Sequence, residues 1–74
     1  MKVIEIKNWC DQNLTPLAWQ RIVMKNLDAF KANNLALSEL NNPTPDIEIS
    51  KEMVDAICVI IQDLYQVQVS QNTF

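Results

Sequence analysis

Seventy-four residues with 49% apolar side chains make a single domain (1–74) near the lower size limit for a chain that buries its own core, and this apolar content argues against disorder. With no histidine, no glycine and only two cysteines, the chain lacks the usual four-ligand zinc set, the commonest base for activating a nucleophile and any glycine-rich phosphate cradle. The net charge of −3 divides unevenly: residues 1–38 set Lys2, Lys7, Arg21, Lys25 and Lys31 against Glu5, Asp11 and Asp28 for a balance of +2, while residues 39–74 set Lys51 against Glu39, Asp46, Glu48, Glu52, Asp55 and Asp63 for a balance of −5. Such asymmetry can orient a partner or favour head-to-tail contact.

Met1-Lys2 is followed by Val3-Ile4 and then by charged Glu5, so no signal-peptide apolar core forms. The longest apolar run, Ala56 to Ile61, is far shorter than the roughly 20 residues that span a bilayer. The chain reads as a complete small frame, expected in the cytoplasm. Over residues 3–7 the pattern fits a strand weakly, whereas Ile6, Trp9, Cys10 and Asn13 recur at helical spacing. The preferred reading is a first helix over residues 3–12. Cys10 and Cys58 form no CxxC pair. A disulfide between them is open, and each also suits an apolar setting as a small hydrophobe.

Thr15-Pro16 supplies a cap and a proline suited to a first helical turn, which predicts one helix over residues 16–32. Trp19, Ile22, Val23, Leu27 and Phe30 gather on one side of its wheel, with Arg21, Lys25 and Asp28 opposite. Trp19 is assigned to the core. Asn26 enters the apolar stripe, either at its edge or fixing register at a helix–helix contact. Asn33-Asn34 is the expected stop. A short helix fits residues 35–40, and Asn41-Asn42-Pro43-Thr44-Pro45 reads as a loop, because proline disfavours helix at itself and at the residue before.

Ser50 caps a second long helix over residues 51–66. Met53, Val54, Ala56, Ile57, Cys58, Ile60, Ile61, Leu64 and Tyr65 cover roughly 200° of its wheel, where a surface helix needs only about 100°. Glu52, Asp55, Gln62, Asp63 and Gln66 form a narrow polar strip, broken by Val59. Packing on more than one side follows. Ile4-Glu5-Ile6, Ile47-Glu48-Ile49 and Val67-Gln68-Val69 share an apolar–polar–apolar pattern that could pair as a small sheet at one end of the helices.

Glu52-Met53-Val54-Asp55, followed by Ile57, Ile60-Ile61 and Leu64-Tyr65, resembles the C-terminal part of tail assembly chaperones from long-tailed phages. In that family an acidic residue, Met, an aliphatic residue and Asp similarly open an apolar helix ending near an aromatic. The resemblance covers about 15 of the 74 residues and implies transient binding of an aggregation-prone phage protein. The chain departs from the family pattern after the aromatic, where Gln66-Val67-Gln68-Val69 follows without glycine.

The expected fold is all-α, a small bundle of three to four helices, with a short terminal β pairing open as an addition. No catalytic, cofactor-binding or metal-binding residue is assigned, and no cofactor, small-molecule substrate or membrane partner is expected. The expected function is a non-enzymatic protein–protein interaction module (an adaptor, chaperone or inhibitor, of a kind phages and mobile elements encode) that binds a protein partner or itself as a homodimer. Trp9, Met53, Ile57, Ile60, Ile61, Leu64 and Tyr65 are its candidate interface. A second reading is a small DNA-binding transcriptional regulator using Arg21, Lys25 and Lys31, set below the first because Asp28 interrupts them and the last helix is acidic. A third is a structural subunit of a larger assembly.

Overall fold

The computed structural model describes residues 1–32 and 46–74. Among them are four α-helices, α1 (Val3–Asn13), α2 (Ala18–Lys25), α3 (Leu27–Ala32) and α4 (Lys51–Tyr65), and a terminal 3₁₀ turn, Gln71–Thr73. The fold is all-α, as periodicity predicts. The helix stop at Asn33-Asn34, the short helix expected at 35–40 and the proline loop at 41–45 lie outside the described residues.

Helix α1 wins over a strand because Val3, Ile6 and Cys10, at helical spacing, are all fully buried. Its start is held by the Glu5 carboxylate, which accepts a hydrogen bond from the Lys2 N–H at 2.8 Å and sets a negative charge at the positive end of the helix. The residues before it pair with the stretch leading into α4. Val3 N–H donates to the Ile47 carbonyl and Ile49 N–H to the Met1 carbonyl, each at 2.9 Å, around one antiparallel bridge between Lys2 and Glu48. Opposite charges follow this pairing: the Met1 amine meets Glu48 at 2.6 Å and the Lys2 ammonium meets Asp46 at 2.8 Å. Thus residues 47–49 do pair, but with residues 1–3 rather than 4–6, which are helical. Residues 67–69 pack on α4 instead, with Val69 buried and its carbonyl accepting from Gln62 Nε2 at 2.9 Å.

The single helix expected over 16–32 is corrected at both its start and its middle. Thr15-Pro16-Leu17 forms a tight turn in which Ala18 N–H donates to the Thr15 carbonyl at 3.0 Å, and α2 begins only at Ala18. At Asn26 the backbone leaves helical geometry (φ −123°, ψ 28°), ending α2 before α3 begins. The packing explains this break. Trp19 and Phe30 meet edge to face with ring centroids 6.2 Å apart, whereas 11 residues of straight helix would separate their backbones by about 16 Å. Bending at Asn26 brings Phe30 against Trp19, and both are buried.

Helix α4 starts at Ser50, whose Oγ accepts from Met53 N–H at 3.2 Å. It ends at Gln66 in the left-handed region (φ 57°), with the Gln66 N–H donating to the Gln62 carbonyl at 2.9 Å. In a chain without glycine this cap falls to a residue with a Cβ, at a cost of about 1 kcal/mol. Helix α2 packs against both α1 and α4, and the terminal turn packs on α4. The resulting core joins Val3, Ile6 and Cys10 to Trp19, Ile22, Val23, Phe30, Met53, Val54, Ile57 and Ile61.

Both cysteines are free thiols within this core. Burial, with the Asp11 charge adding to it, pushes the Cys10 thiol from its ordinary value near 9 up to about 12, and burial followed by the Asp55 charge pushes Cys58 upward as well. Between pH 9 and 12 the unfolded chain gives up the Cys10 proton while the folded chain keeps it. The folded state then binds more protons, and stability falls as pH rises through this window. Cys10→Ala is expected to flatten the fall between about pH 9 and 11, measured by urea melts. At pH 8 a disulfide reagent should react slowly with the native thiols and rapidly once urea unfolds the chain. Equal rates in both conditions would contradict their burial.

Candidate functional site

Burial in α2 is confined to one arc, formed by Ala18, Trp19, Ile22 and Val23. The opposite arc is not uniformly polar. Leu17, at the helix start, is 61% exposed and Met24 is 60% exposed. They are seven residues apart, two turns along one outward ridge. Arg21 falls between them, and its guanidinium lies over the Tyr65 ring, 5.7 Å from the centroid. This cation–π contact ties the outer side of α2 to the C-terminal end of α4. Arg21, Met24 and Lys25 together with Leu64 line an open groove of about 270 Å³. Among the described residues its lining is thus two apolar side chains from two helices, Met24 and Leu64, and two cations from α2, Arg21 and Lys25.

Two polar atoms are enclosed nearby without a hydrogen-bond partner among the described residues, Tyr65 Oη and Asn26 Nδ2. Such atoms are uncommon in folded proteins, where nearly all buried polar groups are paired. Asn26 is half-buried at the break between α2 and α3, so its position in the apolar stripe marks the point where the helix bends.

A second surface lies on the outer side of α4. Glu52, Asp55, Val59 and Asp63 are all exposed, and at spacings of three and four they share one face. Val59 is 56% exposed and sits opposite Ile57 and Ile61, which face the core. Among the described residues Glu52 and Asp63 make no ion pair, and Asp55 accepts from Gln71 Nε2 at 2.9 Å. The other acids of the second half that the structure describes, Asp46 and Glu48, are neutralised by Lys2 and the N-terminal amine.

The seven interface candidates from the sequence scatter. Met53, Ile57 and Ile61 are core residues of the single chain, at 3% exposure or less, so they present no surface to a partner. Much of the apolar surface of α4 is buried within the chain, where α2 and the C-terminal turn pack on it. Trp9, Ile60, Leu64 and Tyr65 are half-buried. Leu64 lines the groove and Tyr65 supports Arg21 beside it. Trp9 lies apart, edge-on to Phe74 at 5.4 Å. Sequence reasoning passed over Leu17 and Met24, although an apolar residue on the polar arc of a wheel was the available signal. Of the cations proposed for nucleic acid, Arg21 and Lys25 stand at the groove and Lys31 is exposed on α3. Among the described residues no helix is long and apolar enough to cross a membrane. Comparison with protein-family models, curated proteins and solved structures finds no match to this chain.

Proposed function

We propose that this chain is a non-enzymatic protein-interaction module whose docking site is the groove between α2 and the end of α4. The observation that carries this reading is the exposure of Leu17 and Met24 on the ridge beside the groove, on a helix whose other apolar residues are all buried. An exposed methionine beside two cations suits a protein surface, since Met and Arg are both enriched in interfaces and Met adapts its shape to its partner. The two buried thiols suit a reducing compartment, and we place the module in the cytoplasm.

The test is a comparison of proteins retained from a lysate of the source cells by the wild-type chain and by a Met24→Glu variant, matched for folding by circular dichroism. Met24 is exposed, so its replacement should leave stability within about 0.5 kcal/mol. Proteins held by the wild type should be lost from the variant by tenfold or more, as for loss of a central interface contact worth about 1.4 kcal/mol. Identical retained sets would refute the groove as a docking site.

A further inference from the structure

Resting on the reading of the groove as a protein-docking site, we infer that its occupant is a second copy of this chain, which inserts the outer face of its α4 in head-to-tail fashion. The two surfaces are complementary in kind and charge. The groove offers Met24 and Leu64 with Arg21 and Lys25 beside them. The outer face of α4 offers Val59 flanked one turn away by Asp55 and Asp63, with Glu52 a turn beyond Asp55 on the same face. An apolar residue, a knob in a stripe of carboxylates, thus faces a groove lined by two apolar side chains and two cations, and like-charged alternatives are disfavoured.

The knob cannot reach the groove of its own chain. Ile57 and Ile61 point into the core from α4, and Val59 lies on the far side of the same helix. Groove and knob are therefore separate patches on one molecule. A contact between unlike patches is heterologous, so each added copy leaves one free groove and one free knob, and growth continues unless a ring closes. The surfaces are small, which sets the contact among weak, concentration-dependent ones. Its ionic component makes it weaken as salt rises.

The experiment is light scattering over a dilution series of wild type, Met24→Glu and Val59→Lys, in low and high salt, with each variant checked for native circular dichroism. The wild type should gain mass with concentration beyond that of a dimer, and less so in high salt. Each variant alone should stay monomeric, because each lacks one half of the contact. An equimolar mixture of the two should form a dimer and stop there, since one retains an intact groove and the other an intact knob. A monomeric wild type up to about 1 mM, a concentration at which a Kd of about 1 mM would already be evident, overturns the inference, as does association that Val59→Lys leaves intact, or a mixture that remains monomeric. If the wild type is monomeric while Met24→Glu still loses proteins from the lysate, the second copy is rejected and the docking groove stands. If the lysate comparison shows no dependence on Met24, the reading of the groove itself is lost.

Discussion

Ile57→Asp is expected to abolish the folded state at 25 °C. Ile57 is fully buried between α4 and the rest of the core. Its replacement forfeits about 2–3 kcal/mol of apolar burial and leaves a carboxylate with no partner in an apolar site, at a cost of several kcal/mol more. A domain of this length has about 4–11 kcal/mol of total stability to lose. The control lies two positions along the same helix. Val59→Lys replaces an exposed residue flanked by Asp55 and Asp63, so it should shift stability by no more than about 0.5 kcal/mol. Urea melts followed by far-ultraviolet circular dichroism separate the two. A cooperative transition surviving in Ile57→Asp with the wild-type urea midpoint would show that α4 does not present this face to the core. The same contrast explains why variants at Ile57 or Ile61 cannot test association: they remove the monomer before they could remove an interface.

The second large effect is expected at Phe30, where Phe30→Ala should cost about 3–5 kcal/mol. Helix α3 has six residues, and Phe30 is its buried one. So short a helix is unstable without tertiary packing, so its attachment rests heavily on this ring. The edge-to-face contact with Trp19 adds about 0.5–1.5 kcal/mol beyond area burial. Loss of Phe30 should therefore lower the urea midpoint and also alter the near-ultraviolet circular dichroism of Trp19, even under conditions where the variant is folded. A cost below about 1 kcal/mol, small for a buried aromatic, would mean that the bend at Asn26 does not serve to deliver Phe30 to the core.

Neither effect could be assigned to the right partner from the chain alone. Periodicity placed Ile57 and Phe30 on apolar faces, because a 3.6-residue repeat declares which side of a helix avoids water. It could not say whether α4 met its own chain or another.

The features the sequence determined by itself are local ones. Ile6 and Cys10 at helical spacing favoured α1, Ser50 set the start of α4, and the alternation of Trp19, Ile22 and Val23 with Arg21 and Lys25 set the inner face of α2. Each depends on neighbours within a turn or two, so capping and periodicity suffice to declare it. Tertiary structure decided the rest. The break at Asn26 follows from bringing Phe30 back to Trp19, which no wheel can show, because both residues already share a face on a straight helix. The pairing of residues 1–3 with 47–49 depends on the register of two segments distant in sequence. The groove exists because core packing sets α2 beside α4, which places Arg21 over Tyr65 and Met24 near Leu64. Composition reveals an excess of apolar surface, but which part of it stays in water is settled only when the helices pack.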